Sequence, residues 1–153
     1  MFSSQPAPPK TETTASLTPA VRPGAKAVVA SSSGTLLVKE QHDNGRTFWT
    51  LPGGGIEPGE SPATGLRREL REELRCDAIV GDPVSTFWYA HASSPDTVSR
   101  YVVFACGVLS AVRPVQGEGI LDAAWMEPTE LPPTVLPQVR RLLRRRHPDQ
   151  LRG

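Results

Sequence analysis

At 153 residues the chain has room for one domain with a real core and not for two. Hydrophobic residues at 38% and charged residues at 22% suit a soluble globular protein, and no apolar run reaches the roughly 18 residues of a spanning helix. A net charge of +1 gives no global case for nucleic acid or an acidic partner, so any basic character has to be local.

Residues 1 to about 23 are rich in Pro, Ser and Thr and hold no apolar signal core, so a flexible tail without a secretory leader is expected there. "AKAVVASS" and "GTLLVKE" predict two strands across a Ser-Ser-Gly turn. Asn44-Gly45 is a hairpin turn signal, and "TFWTL" is the returning strand. After Pro52 the three glycines Gly53, Gly54 and Gly55 predict a loop. Ser61 as N-cap and Pro62 at the first turn then open a helix that should run to about Leu74. "DAIVG", "VSTFWYAHA" and "SRYVVFACGVL" predict strands, and "DAAWM" a short one before Pro128. "TVLPQVRRLLRRRH" carries helical spacing in Val135, Val139, Leu142 and Leu143. Strands on both sides of a central helix, with a closing helix, predict a mixed sheet covered by helices. Cys76 and Cys106 have neither disulfide-framework nor zinc spacing. Both are expected as reduced thiols packed like small hydrophobes, which fits a cytoplasmic setting.

On a wheel of about 100° per residue, Ala63, Leu66, Leu70 and Leu74 of the central helix form one narrow stripe that should face the core. Glu73 lies beside that stripe, Glu69 further round and Glu72 beyond. Arg67, Arg68, Arg71 and Arg75 take the other side. Glu69 and Glu73 are a like-charge pair four apart, and Glu69 and Glu72 one three apart. Each pair costs a few tenths of a kcal/mol, roughly what an ion pair would contribute. Arg68 can reach Glu72, whereas neither Glu69 nor Glu73 is expected to have a basic partner within the helix. Desolvation beside the leucines sharpens the conflict, and a divalent cation resolves it. Oxygen ligands without His or Cys favour Mg²⁺ or Mn²⁺ over zinc. The glycine loop before the helix lets backbone approach a ligand at a helix N-terminus, where phosphate is favoured. Together they predict metal-assisted chemistry on a phosphate ester or anhydride.

Residues 54 to 76, "GGIEPGESPATGLRRELREELRC", closely resemble the Nudix box, G-x5-E-x7-R-E-U-x-E-E-x-G-U with U aliphatic. Gly54, Glu60, Arg68, Glu69, Leu70, Glu72 and Glu73 match in register. Arg75 stands where the pattern has Gly, and Cys76 where it has an aliphatic residue. The resemblance implies an α/β/α sandwich with a mixed β-sheet between helices, over residues 24–147, with 148–153 as a C-terminal tail. It implies hydrolysis of the pyrophosphate linkage in a nucleoside diphosphate joined to another moiety. Metal binding would fall to Glu69, Glu72 and Glu73 with the Gly54 carbonyl. Arg68 would orient the carboxylates and Glu60 would fix the loop. The proton acceptor would be a box glutamate, Glu72 or Glu73, or a glutamate in a later loop, for which Glu118 is the candidate. A residue with Cβ at the helix-ending position either extends the helix or sits strained, at roughly 1 kcal/mol.

Phe48, Trp49, Phe87, Trp88 and Tyr89 are candidates to stack on a base, with Phe87 and Tyr89 on the face opposite Trp88. Arg46 and Arg100 are candidates for phosphate, and no His has ligand spacing. The run "VRRLLRRRH" is read as a docked helix with a solvated basic face in preference to a nucleic-acid grip. The expected partner is a nucleotide or related pyrophosphate, with the chain a monomer or homodimer and no membrane. Two rivals are an enzyme removing the 5′ pyrophosphate of RNA and a Nudix-fold sensor that binds nucleotide without turnover.

Overall fold

The run after Pro23 forms the middle of the sheet because its side chains are largely apolar on both faces. In the computed structural model, which describes residues 18–42, 44–91 and 95–146, strand β1 (Ala20–Ser31) lies parallel to β6 (Thr97–Val108) from Ala20↔Thr97 to Val29↔Cys106. Its other edge carries the short antiparallel β4 (Gly53–Gly55) opposite Gly24, Ala25 and Lys26, then turns into β2 (Gly34–Gln41). Strand β2 pairs antiparallel with β3 (Thr47–Thr50) and β7 (Ile120–Met126). Strand β5 (Ala78–Ala90) completes the order β3-β2-β1-β6-β5 as the antiparallel neighbour of β6.

Alternation along β1 builds two cores. Ala25, Ala27 and Val29 pack with Leu66, Leu70 and Leu74 of helix α1 (Pro62–Leu74). Val28 points the other way and joins Val103, Val139, Leu142 and Leu143 under helix α2 (Pro137–Arg146). Each fully buried leucine contributes about 1.5–3 kcal/mol by leaving water. A mixed sheet between two helices is the α/β/α sandwich that the sequence predicts. Among the described residues no helix is long and apolar enough to cross a membrane.

Helix α1 begins as its caps dictate. The Ser61 hydroxyl accepts a hydrogen bond from Thr64 N at 3.1 Å, and Pro62 occupies the first turn. At the other end Arg75 takes the left-handed conformation, φ 51° and ψ 33°, and donates its N–H to Arg71 O. The helix therefore stops where the pattern's glycine would stop it, with strain in place of glycine. The carbonyls of Glu73 and Leu74 accept from Val115 N and Arg113 N, so the loop after β6 satisfies the last turn.

Several boundaries differ from expectation. Strand β1 begins at Ala20, so residues 20–23, assigned to the tail by composition, pair with β6. Residues 1–17, His147 and the 148–153 tail lie outside the described residues. Two predicted strands merge into β5, whose register shifts around Pro83, where a ladder N–H is missing. The glycine loop contains a strand, because Gly53 and Gly54 lie too close to their neighbours for a Cβ. Gly53 has φ 130°, and a Cβ on Gly54 would sit 2.6 Å from Glu69 Oε2. Glycine's poor strand propensity hides such an element. Helix α2 starts at Pro137, with Val135 buried just before it. Both cysteines are free thiols, Cys76 buried in the core under α1 and Cys106 half-buried.

Candidate active site

Arg68 is the hub of the box. It reaches back across the loop to Glu60, donating from Nε to Oε2 at 2.7 Å and from Nη2 to Oε1 at 2.9 Å. Nη2 also donates to Gly55 O at 3.1 Å. Nη1 donates to Glu69 Oε1 at 3.0 Å and to Glu72 Oε1 at 3.1 Å. A planar guanidinium suits this, since its fork can hold one carboxylate bidentately while other donors point elsewhere. The hydrogen bonds from Arg68, aided by the Glu57 N–H, hold the Glu60 carboxyl down at about 2. Those to Glu60 push the guanidinium above its usual range.

This corrects the premise that Glu69 lacks a basic partner. The guanidinium reaches round to the adjacent residue, which spacing rules alone do not anticipate. The unrelieved acid is Glu73. Burial of the three carboxylates follows the order of the helical wheel, with Glu73 7% exposed, the Glu69 side chain 17% and the Glu72 side chain 46%. Glu73 Oε1 accepts from Gly53 N at 3.1 Å. Burial raises the Glu73 carboxyl to about 8, against the opposing pull of Lys26 and the Gly53 N–H and with the help of Glu40 and Glu69.

Donor chemistry at this edge of the sheet fits a hard divalent cation: carboxylate and backbone oxygen, with no sulfur or imidazole among the candidate ligands Gly54, Glu69, Glu72 and Glu73. Among the described residues, no three acidic, His or Cys groups already converge as a ligand cage. Arg68 draws Glu69 and Glu72 toward itself and Gly53 holds Glu73, so a cation would have to compete with these contacts. The Gly53 and Gly55 carbonyls accept from Lys26 and Arg68, respectively.

Lys26 connects this edge to a pocket on the α2 face of the sheet. It is 4% exposed, and Nζ donates to Gly53 O at 3.1 Å, lies 3.9 Å from Glu40 Oε2 and sits 4.8 Å from the Tyr101 ring centre. Burial alone would lower the ammonium, but the charges of Glu40, Tyr101, Glu73 and Glu69 outweigh it and raise it. The pocket is a cavity of about 120 Å³ with Lys26, Glu40 and Thr50 among its lining groups. His42 stacks on Phe48 with centroids 4.1 Å apart, and Tyr89 Oη lies 3.1 Å from His42 Nδ1. His91 Nε2 lies 2.7 Å from Ser99 Oγ at the same pocket.

The other candidates are spread more widely. Phe48, Phe87 and Tyr89 line the pocket, whereas Trp49 packs toward the α2 core and bonds through its backbone to Thr134 and Leu136. Trp88, 52% exposed, borders a surface groove with Arg141 and Arg145. Arg46 is exposed in the hairpin, where its carbonyl accepts from His42 N. Arg100 borders a groove beside the Glu57–Glu60 loop. Glu118 is exposed in the turn that follows the loop tied to the end of α1. Lys26, Glu40, Thr50, His42 and His91 escaped sequence reasoning. A lone lysine between alanines in a strand apolar on both faces was the one available signal.

Comparison with known proteins agrees with the geometry. A family profile described as NUDIX domain matches residues 20–146. Nucleoside triphosphatase NudI of Escherichia coli O1:K1 is 34% identical over 116 residues, covering 68% of this chain and 80% of that protein. Among solved structures, the E. coli ORF135 protein superposes with a TM-score of 0.65 at 25% identity, covering 88% of this chain and 93% of that one. The MutT protein from Methanosarcina mazei Go1 shares the fold with a TM-score of 0.73 at 19% identity, over 86% and 96%. With the box intact from Gly54 to Glu73 and folded against its glycine strand, the chain belongs to the Nudix family and is a pyrophosphohydrolase.

Proposed function

We propose that this chain hydrolyses nucleotides, with nucleoside triphosphates as the substrate class, using Mg²⁺ or Mn²⁺ held by Glu69, Glu72, Glu73 and the Gly54 carbonyl. The observation that carries this reading is the link between two chemistries at Gly53. Its N–H donates to the buried acid Glu73, while its carbonyl accepts from Lys26 at the floor of an aromatic pocket. A phosphate chain bound at the box would leave the attached nucleoside within reach of that pocket. The likeness to a nucleoside triphosphatase supports the same class.

The cation, when bound, polarises phosphate oxygen and lowers the pKa of water at the site. The chain itself supplies the rest. Arg68 sets the positions of Glu69 and Glu72 and ties them through Glu60 to the loop. Gly53 fixes the direction of the Glu73 carboxyl. A box glutamate, Glu72 or Glu73, takes the proton of the attacking water, and Glu118 is the alternative acceptor from its exposed turn. Arg46 and Arg100 are exposed and remain the candidates for phosphate, and Trp49 is half-buried against the α2 core outside the pocket lining.

The test is a panel of nucleoside triphosphates, dinucleotides and nucleotide sugars incubated with Mg²⁺ or Mn²⁺, with products resolved chromatographically. Nucleoside triphosphates should turn over fastest, giving nucleoside mono- or diphosphate only with metal. Absence of turnover across the panel at every metal concentration would defeat the proposal.

A further inference from the structure

One group in the lining of the Lys26 pocket stands out, because a folded chain rarely buries a polar atom without a partner, and two charged groups lie beside it. Thr50 is 2% exposed and lines the pocket, yet its Oγ1 has no hydrogen-bond partner among the described residues. Leaving a buried hydroxyl unpaired costs about 1–3 kcal/mol, and a ligand seated in the pocket can supply the missing partner. Lys26 Nζ spends one donor on Gly53 O and stands 3.9 Å from Glu40, beyond hydrogen-bond length. Glu40 lies beside it with its side chain 27% exposed, an acceptor-only group facing the cavity. In the same lining, His42 on Phe48 supplies flat, stacked ring surface.

We infer that this pocket seats the nucleobase and that Glu40, Lys26 and Thr50 read its edge, selecting guanine. The inference rests on the proposed nucleotide hydrolysis and adds the base to it. Glu40 disfavours a phosphate here, since its charge offsets that of Lys26 and leaves the floor nearly neutral. A planar uncharged ring suits the aromatic wall. Among the bases, guanine sets two neighbouring N–H donors beside a carbonyl oxygen. One carboxylate can accept both N–H groups while an adjacent ammonium donates to the carbonyl. Adenine and cytosine offer one amino group next to a bare ring nitrogen, which would face the carboxylate lone pairs. Uracil and thymine flank their single N–H with two carbonyls, one of which would meet Glu40. The threonine hydroxyl can donate or accept, so it completes whichever remaining contact the base presents.

The test combines turnover with binding. Wild-type protein should show the highest kcat/KM for GTP or dGTP. Glu40→Gln should lower the preference for GTP over ATP by about tenfold or more, the range of a lost bidentate base contact. Thr50→Val should leave the ligand-free melting temperature unchanged or raised, since it removes an orphaned hydroxyl, while weakening GMP binding. A purely structural threonine would do the reverse. Trp88→Ala, in the groove beside α2, should keep the wild-type preference. In amide chemical-shift titrations GMP alone should perturb Glu40, Phe48 and Thr50, whatever the turnover. Equal use of all bases by wild type, an unaltered preference in Glu40→Gln, or GMP shifts confined to other surfaces would overturn the pocket assignment. Any of these outcomes alongside nucleotide turnover leaves the proposed hydrolysis standing. GMP shifts in the pocket without turnover of any nucleotide would keep the pocket and sink the hydrolysis.

Discussion

The two helices that cover the sheet use the same device and put charge in opposite places. Helix α2 buries Val139, Leu142 and Leu143 and leaves Arg141, Arg144, Arg145 and Arg146 exposed. Its remaining arginine, Arg140, donates from Nη2 to the Pro132 carbonyl. Helix α1 buries Leu66, Leu70 and Leu74 and, with them, Glu73. Its other two acids, Glu69 and Glu72, both accept from Arg68, Glu69 half-buried and Glu72 exposed. A helix that only docks keeps ionisable groups off its buried stripe, since burying a charge without a partner costs stability. Helix α1 accepts that cost at Glu73. The contrast between α1 and α2 is thus one of buried against exposed charge, and it is what the proposed role of Glu73 has to explain.

The strongest way to break that comparison is to neutralise charge on each helix in turn. Glu73→Gln keeps the shape and the burial while removing the ionisable oxygen. It should lower kcat by at least about a hundredfold with Mg²⁺, in the range of losing a catalytic or metal-binding carboxylate. Arg144→Gln with Arg145→Gln should leave nucleotide turnover within about twofold, because exposed substitutions away from a site stay within roughly 0.5 kcal/mol. Steady-state kinetics on the same nucleoside triphosphate decides it. Similar losses on both helices would mean that α2 takes part in substrate binding and is no mere cover.

A smaller effect should appear in the pH dependence of stability of the metal-free protein. The fold raises the Glu73 carboxyl from an ordinary 4.5 to about 8, so it favours the protonated form. That contribution is fully present below about pH 4.5 and is lost as pH rises through about 8. Glu60 behaves in the opposite sense. Arg68 lowers it to about 2, so its contribution is present above about pH 4.5 and disappears as pH falls through about 2. Melting temperatures in chelator should therefore decline on both sides of a mildly acid optimum. Glu73→Gln should flatten the alkaline limb alone, and Glu60→Gln the acid limb alone. Mg²⁺ favours the ionised carboxylate and should shift the optimum upward.

How far this contrast is legible in the sequence depends on the range of the interactions involved. The leucine stripe and the order Glu73, Glu69, Glu72 toward solvent follow from the helical period, which needs nothing beyond neighbours along the chain. The spacing from Gly54 through Glu60 to Glu73 carries the family and the sandwich fold with it. The pocket cannot be found that way. Lys26, Glu40, Thr50 and Tyr89 come from four strands and meet only because β1 lies between β4 and β6 while β2 folds over to β3. No local period records such a meeting. Arg68 lies between the two cases: its pairing with Glu72 follows helix spacing, while its grip on Glu60 and Gly55 needs the loop to close back on the helix. The strand at Gly53–Gly55 is hidden for a different reason, since what selects glycine there is the nearness of Ala25 and Glu69 and not any preference of the residue for extended pairing.

The smallest expected effect tests the helix end that holds Glu73 in place. Arg75 is the one non-glycine residue with positive φ among the described residues, and its side chain is exposed. An L-residue in that conformation costs roughly 1–2 kcal/mol, against which glycine forfeits some entropy when the chain orders. Arg75→Gly should therefore stabilise the protein by about 1 kcal/mol, or about 2–4 °C in melting temperature for a domain of this size. Arg75→Ala keeps the Cβ and should yield no such gain, which separates backbone strain from loss of the cation. The carbonyls of Glu73 and Leu74 are held by Val115 and Arg113 in either variant, so the direction of Glu73 should persist and kcat with it. A gain in Arg75→Ala equal to that in Arg75→Gly would place the cost in charge repulsion along α1. A gain in stability accompanied by lost turnover would mean instead that the strained cap helps to set the carboxylate.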